Sequence, residues 1–241
     1  MDDLQKLLAR LPVPANVKPM APEEFQRMTQ QISQEQANDI AIEREMRYAA
    51  KLAGSSGLNR KFLSCNFENY YCNERGQHIA LAAAKQFVER FSEHMSTGSG
   101  FLFMGAPGTG KNHLASAMAN ALMAKNRSVM VLSVMDILGR VRESYSTNES
   151  ERQLIKAFCK PELLIIDELG LQRGTLDEKL WLHRIINERL YAMRPTGFLT
   201  NLNMDGLSEL LEKRTYDRMC EGVAMRVKFD WQSYRGGNHA A

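Results

Sequence analysis

Short apolar runs alternate along most of this chain with longer stretches in which apolar residues recur every three or four positions. The apolar runs predict five β-strands, at Phe101–Met104, Ser128–Val134, Leu163–Asp167, Gly197–Thr200 and Val223–Phe229. The longer stretches predict helices, at His113–Lys125, Met135–Ser144, Ser150–Phe158, Asp177–Met193 and Leu207–Met219. This alternation is typical of an α/β fold with a central five-stranded parallel sheet and helices on both faces. A ligand is then expected at the carboxyl ends of the strands.

The first 57 residues follow a different pattern. A short apolar stripe at helical spacing is followed by four prolines, which end the helix. A segment rich in Gln, Glu and Arg comes next and leads to Gly54–Gly57, which has the composition of a flexible linker. The stripe consists of Leu4, Leu7, Leu8 and Leu11. The pattern predicts a small helical arm over residues 1–57 and a main domain over residues 58–241. Such an arm either packs on its own domain or docks on a partner, and its sparse apolar residues favour the partner.

A glycine-rich loop follows the first predicted strand and precedes an Ala-rich helix. It reads Gly105, Ala106, Pro107, Gly108, Thr109, Gly110, Lys111 and Asn112. In this context the glycines let backbone N–H groups surround a phosphate, and Lys111 reaches the β- and γ-phosphates of ATP. The usual Ser or Thr ligand of Mg²⁺ is replaced by Asn112, whose amide oxygen can also serve as a ligand.

Polar residues also end two later strands. Asp167 and Glu168 follow the aliphatic run Leu163–Ile166, so Asp167 is expected to hold Mg²⁺ and Glu168 to orient and deprotonate the attacking water. Asn201 ends the next strand and is expected to position that water. A simple strand-to-loop role for Asn201 stays open, and Asn203 is an alternative. Together with the loop, these residues predict an ATP-hydrolysing enzyme.

Composition narrows the class of protein further. The 241 residues are 44% hydrophobic and 24% charged with a net charge of +3, which is ordinary for a soluble protein and neither requires nor excludes nucleic-acid binding. No apolar run has the roughly 20 residues of a membrane helix. The four cysteines form no metal-binding or disulfide pattern, so a cytoplasmic location without a secretory signal is expected.

Several motifs together carry a family resemblance. They are the loop with His113–Ala115, Asp167–Gly170, Thr200–Asn201, Asn66–Tyr70 and Phe229–Arg235. These motifs resemble the AAA+ replicative helicase loaders of the DnaC family, over roughly Leu63 to Arg235. The resemblance includes the unusual Asn112. It implies an AAA+ P-loop fold with little or no C-terminal lid, and it adds His113 and Arg235 to the residues that bind nucleotide, with Arg235 as a phosphate-sensing arginine of the same subunit.

In AAA+ proteins a nucleotide lies between neighbouring subunits, so the resemblance implies self-association. Arg218 matches the position of the arginine finger that one subunit supplies to the next, and Arg214 lies one turn earlier on the same helical face. The alternative is a solvated basic face in which these arginines pair with Glu212 and Asp217.

The resemblance also implies two macromolecular partners, a hexameric replicative helicase of the DnaB type and single-stranded DNA. The helix of residues 136–145 would face the DNA, with Arg142 available for phosphate and Tyr145 for base stacking. The expected function is therefore ATP-dependent helicase loading. Alternatives are an IstB-like transposition helper ATPase, a small-molecule phosphotransferase, and a nucleotide-binding module without hydrolysis.

Overall fold

The computed structural model describes residues 24–34, 63–147 and 150–234. The chain divides into two compact units, Met1–Ala41 and Ile42–Ala241, and helix α1 (residues 24–34) is the described part of the first. The predicted boundary at residue 57, the leucine stripe of residues 4–11 and Arg235 lie outside the described residues.

The second unit is built on a sheet of five parallel strands in the order β2-β3-β4-β1-β5. The strands are β1 (Gly100–Gly105), β2 (Val129–Ser133), β3 (Leu163–Leu169), β4 (Thr196–Thr200) and β5 (Val223–Phe229). Each coincides with a predicted strand, so the predicted five-stranded parallel sheet is confirmed. The prediction succeeded because strands buried on both faces are almost uniformly apolar.

Seven helices of the second unit surround this sheet in the part of the chain that the structure describes. They are α2 (Arg75–Glu89), α3 (Phe91–Thr97), α4 (Lys111–Met123), α5 (Val134–Ser144), α6 (Glu151–Cys159), α7 (Leu176–Tyr191) and α8 (Met204–Glu221). The last five match predicted helices, whereas α2 and α3 were not predicted. None of the described helices is long and apolar enough to span a membrane. Between β5 and Tyr234, the last described residue, no α-helical lid follows.

The helices form a hydrophobic core on each face of the sheet. Alternate residues of β3 serve the two cores, with Leu164 and Ile166 facing one and Leu163 and Ile165 facing the other. Helices α5 to α8 contribute to the first core, and α2 to α4 contribute to the second. Both faces of β3 are thereby removed from water, and its polar end at Asp167 is held at a fixed place on the sheet edge.

A fully buried arginine joins three segments at the amino edge of the sheet. Arg189 of α7 has no exposed surface. Burial lowers the pKa of its guanidinium to about 9, so the group is still charged at neutral pH. It donates hydrogen bonds to the Thr196 hydroxyl and to the backbone carbonyls of Phe158, Pro161, Glu162 and Pro195. The Phe158 carbonyl lies in the last turn of α6, and the other three belong to the connections that enter β3 and β4, so Arg189 fixes both strands at their starts.

Replacing Arg189 with leucine is expected to lower the free energy of unfolding by at least about 3 kcal/mol, because several buried carbonyls lose their donor. Urea denaturation measures the change. Arg184→Leu is the matched control on the same helix, since the Arg184 side chain is partly exposed, pairs with the surface carboxylate of Glu151 at 2.6 Å and lies over the Trp181 ring at 4.9 Å. The control should change stability by less than about 1 kcal/mol. Similar losses in both variants would contradict the role assigned to Arg189.

Candidate nucleotide-binding site

The glycine-rich loop joins the end of β1 to the start of α4. Gly105, Gly108 and Gly110 have φ values of 150°, 80° and 95°, a region that strongly favours glycine. A Cβ on Gly105 would lie 2.1 Å from the Phe229 carbonyl oxygen, so no side chain fits there. The glycines therefore permit the turn that directs the chain from the sheet edge into the N-terminus of α4, where backbone N–H groups and the helix dipole favour an anion.

Carbonyl groups of this loop are engaged by donors from the protein. The Thr109 hydroxyl donates to Ala106 O at 2.8 Å, Tyr234 N to Gly108 O at 2.9 Å, and the Trp231 indole to Thr109 O at 2.8 Å. Carbonyl oxygens that are tied in this way do not compete for the cradle, and the backbone N–H groups are left to bind a phosphate. The loop is thus a preformed anion site.

Lys111 brings the loop and the end of β4 together. Its ammonium group is mostly buried and donates to Gly105 O, to Ala106 O and to Asn201 Oδ1 at 2.8, 2.9 and 2.9 Å. Asn203, the alternative to Asn201, instead accepts a hydrogen bond from Gly206 N and caps α8. Of the two asparagines, Asn201 is the one at the loop.

Asn112 and Asp167 face each other at the same sheet edge. The Asn112 amide N–H donates to the Asp167 carboxylate, which also accepts the Glu168 backbone N–H at 2.7 Å. Burial raises the pKa of Asp167 to about 6, with the Glu168 charge adding to this and Lys111 and the hydrogen bonds opposing it. The Asn112 amide faces Asp167 with its N–H, so its oxygen would have to turn toward the carboxylate for the pair to hold Mg²⁺. A partly buried carboxylate and a neutral amide oxygen fit this ion, which takes one or two protein oxygens and completes its shell with water and phosphate. In the described residues no cluster of three His, Cys, Asp or Glu competes as a metal site.

Glu168 stands at an irregular point of β3. Its φ of 57° is rare for a residue with a side chain, and the β3–β4 register shifts between Ile166 and Leu169. The turn leaves the Glu168 side chain exposed at the carboxyl edge, directly beside Asp167. Strained backbone of this kind concentrates at functional sites, where it directs a side chain that regular strand geometry would place elsewhere.

Aromatic residues that the sequence had not assigned to the site flank the loop. A Cβ on Gly110 would lie 3.0 Å from the Tyr70 ring, and the Tyr70 hydroxyl is buried without a hydrogen-bond partner among the described residues. Burial is the main cause that raises the pKa of this hydroxyl. Trp231 and Tyr234 contact the loop from the other end of the chain. In the sequence these three residues lie within the family motifs. The motifs alone did not show that their side chains contact the loop.

His113, predicted to bind nucleotide, points toward the segment before α2. Its Nε2 lies 2.8 Å from Asn69 Oδ1 and 3.3 Å from Asn66 O. The contact joins the start of α4 to the Asn66–Tyr70 segment, so this segment, α4 and the loop form one wall of the site.

The predicted arginine finger lies far from this loop. Helix α8 starts at the carboxyl edge after β4 and returns to the amino edge before β5, so Arg218 lies beside Gly98 and Thr196 at the opposite edge. Strands of this length separate the two edges by about 15–20 Å. Arg218 pairs with Glu221 at 2.8 Å, and Glu212 pairs with Lys179 instead of Arg214 or Arg218. The predicted pairing of these arginines with Glu212 is therefore wrong, and the alternative of a solvated basic face stays a prediction.

The two residues predicted to contact DNA are both exposed near the C-terminus of α5. Arg142 lies in the helix, and Tyr145 forms its C-terminal cap. The Tyr145 hydroxyl donates to the Asp177 carboxylate and accepts the Trp181 indole N–H at 3.0 Å. These bonds fix the ring, which is 55% exposed and has a surface available for stacking.

Comparison with known proteins assigns the family. The model of the family described as IstB-like ATP binding protein matches residues 93–219. The replicative helicase loader DnaC of Escherichia coli K12 is 38% identical over 239 residues, which cover 98% of this chain and 94% of that protein. The chain belongs to the DnaC family. The DnaC loader of Buchnera aphidicola from Schizaphis graminum is 35% identical over 95% of this chain and 94% of its own length.

Solved structures support the same AAA+ fold. A crystal structure of the DnaC helicase loader superposes with a TM-score of 0.63 at 22% identity, over 70% of this chain and all of that one. The replication initiator DnaA bound to AMPPCP and single-stranded DNA superposes with a TM-score of 0.61 at 19% identity, over 73% of this chain and 51% of that one. At these identities the likeness concerns the fold alone. The chain is thus an AAA+ P-loop protein of an ATP-binding family.

Asp167→Asn is expected to stabilise the protein and to weaken its affinity for Mg-nucleotide. Because burial raises the folded pKa of Asp167 from 3.8 to about 6, folding takes up a proton between these values and the charged carboxylate destabilises the fold above pH 6. The variant should gain about 1–3 kcal/mol at pH 7.5, and the gain should decrease as the pH falls through about 6 and vanish only below the unfolded pKa of 3.8. Thermal unfolding across this pH range, without nucleotide, measures it.

The control for this prediction is Asp217→Asn, which neutralises an exposed carboxylate of α8. Its effect on the melting temperature should be small at every pH. An Asp167→Asn variant that is less stable than the wild type at pH 7.5 would show that the carboxylate is compensated in the folded protein.

Proposed function

We propose that this protein loads a hexameric replicative DNA helicase onto single-stranded DNA in the cytoplasm and uses ATP as the switch. The observation that carries the proposal is the convergence of Lys111, the Asn112–Asp167 pair and Asn201 at one sheet edge. This convergence occurs in a chain that matches the DnaC loader over 98% of its length.

Each residue of the site has a distinct task in the proposed ATP hydrolysis. The loop N–H groups and Lys111 bind the β- and γ-phosphates, and Asn112 and Asp167 hold Mg²⁺, which neutralises phosphate charge when bound. Glu168 orients the water and accepts its proton. Asn201, now bound to Lys111, is placed to hold the water on the γ-phosphate side once the lysine turns toward the phosphates. No acceptor other than water is required, which separates this proposal from a phosphotransferase.

Arg218 completes the site of a neighbouring subunit in this proposal. At the opposite edge of its own sheet it cannot reach its own loop, so its guanidinium can meet a γ-phosphate only when copies associate side by side. The pair with Glu221 and the contact with the Tyr191 ring at 5.5 Å are both at the surface and are weak enough to be exchanged for phosphate. Arg235 is proposed as the phosphate-sensing arginine in the same subunit.

Single-stranded DNA is proposed to contact Arg142 and Tyr145. Hydrogen bonds with Asp177 and Trp181 fix the orientation of the Tyr145 ring before a base stacks on it. Less conformational entropy is then lost on binding. Arg142 supplies a cation for the phosphate next to the stacked base.

The N-terminal arm is proposed to bind the helicase. In helix α1 the side chains of Phe25, Met28 and Ile32 are 57%, 38% and 45% exposed and lie at i, i+3 and i+7 positions, so they share one face. An exposed apolar face of this kind is suited to a hydrophobic groove on a partner. The leucines of residues 4–11 remain a second proposed contact.

A transposition helper is the second candidate, because the matched family model carries the IstB description. That match covers residues 93–219, the ATPase core that both classes share. The similarity to DnaC loaders extends over nearly the whole chain, including the arm, and therefore favours the loader.

The loader proposal is tested by mixing the protein with the host's hexameric helicase and ATP and measuring mass by light scattering after size exclusion. A stable complex that disappears when residues 1–57 are deleted is expected. Phe25→Asp should weaken the complex at least tenfold, because it places a charge in an apolar contact. Gln30→Asp, on the polar side of α1, is the control and should leave the complex intact.

Absence of a complex, together with ATP hydrolysis stimulated by duplex DNA, would reject the loader in favour of the transposition helper. Equal complex formation by Phe25→Asp and the wild type would reject the proposed α1 contact alone.

Arg218→Ala should leave ATP affinity within about twofold and lower helicase- and DNA-stimulated turnover by about 10³-fold, the size of an arginine-finger effect. Mixing this variant with Lys111→Ala, itself unable to bind ATP, should restore part of the turnover. Restoration is expected because the second variant lends its finger to the first. Lys213→Ala, an exposed neighbour on the same helix, is the control. No restoration on mixing would mean that Arg218 does not act on a neighbouring subunit.

A further inference from the structure

The phosphate-binding loop is held from outside by the segment that follows β5. Two successive loop carbonyls accept from this segment, Gly108 O from Tyr234 N and Thr109 O from the Trp231 indole. The two partners of the indole bond are 122 positions apart in the chain. The contact joins the end of the domain to the middle of the loop, and the proposed hydrolysis assigns it no task.

Trp231 is held rigidly enough to act as an anchor. It is 7% exposed, and its ring packs on Phe229 with centroids 4.8 Å apart. On another side it contacts α2, since a Cβ on Gly76 would lie 3.1 Å from its Cε3. A buried indole has one donor and no acceptor, so its N–H direction is fixed by the packing of the ring.

We infer that Trp231 is a positioning residue for nucleotide binding. By holding the Thr109 carbonyl away from the cradle, its indole N–H keeps the loop in the conformation whose backbone N–H groups donate to the β-phosphate. The inference rests on the proposed ATP binding at this loop and adds a residue that does not touch the nucleotide.

The expected effect follows from the population of the competent loop. A loop that is preformed binds at its intrinsic affinity, whereas a loop that is competent for only a fraction of the time binds with a dissociation constant raised by the inverse of that fraction. Loss of one neutral hydrogen bond is expected to reduce the fraction by about tenfold.

The experiment compares the full-length variants Trp231→Phe and Trp181→Phe. Trp181 is the other tryptophan of the chain, is also buried, and donates its indole N–H to the Tyr145 hydroxyl, away from the loop. Both variants lose a buried indole and one hydrogen bond, so both should melt at a lower temperature. Titration with a fluorescent ATP analogue should give an about tenfold higher dissociation constant for Trp231→Phe and an unchanged one for Trp181→Phe.

A second variant keeps the shape of the ring. In the Trp181→Phe background, benzothienylalanine at position 231 replaces the indole N–H with sulfur, which cannot donate. This protein should fold like its background and still bind the analogue about tenfold more weakly. Unchanged affinity in this variant would overturn the positioning role even if Trp231→Phe failed to fold.

Lys111→Ala separates the two proposals. If the wild type binds no better than Lys111→Ala, ATP binding at the loop is itself rejected.

Discussion

The parallel pairing of β3, β4 and β1 is the constraint on which the site depends. Their shared direction brings Gly105, Asp167 and Asn201 to one edge, although these residues are separated by 34 to 96 positions in the chain. Lys111 then contacts both the loop and Asn201 from the start of α4. No local turn could assemble this set, and a register shift of one residue would turn each polar end to the opposite face.

The carboxyl edge of the sheet carries features that destabilise the fold, and the amino edge carries hydrogen bonds that stabilise it. The carboxyl edge holds a partly buried carboxylate at Asp167, whose pKa is raised, and a left-handed backbone at Glu168. At the amino edge Arg189 satisfies the carbonyls that enter β3 and β4. A strained backbone persists only where the surrounding structure holds the chain in that conformation. Here the strands are held firmly at their starts by Arg189.

In the proposed mechanism a single subunit is incomplete, because the two edges of its sheet are far apart. Helix α8 starts near the loop, and Arg218 near its end lies at the far edge, so this guanidinium cannot reach the loop of its own chain. A finger supplied by a neighbour would make turnover responsive to assembly. In the proposed cycle this couples hydrolysis to the helicase and the DNA, which gather the copies together.

The sequence by itself determined the five strands, the loop and the acids that follow β3, because buried parallel strands and glycine-rich turns leave strong local patterns. It did not indicate α2, in which three of the five buried residues are Gln77, Ala80 and Ala84, or α3, a seven-residue helix that buries Phe91. Alanine and glutamine have little apolar surface, and seven residues are too few to establish a helical period.

Contacts between distant segments were decided only by the tertiary structure. Three contacts of the site join residues more than 50 positions apart. They are the hydrogen bonds of Lys111 with Asn201, of Asn112 with Asp167 and of Trp231 with Thr109. The position of Arg218 also depended on the direction in which α8 crosses the sheet. Sequence patterns report which residues are buried and at what period. They do not report which buried segments meet, because that is settled by the packing of all of them together.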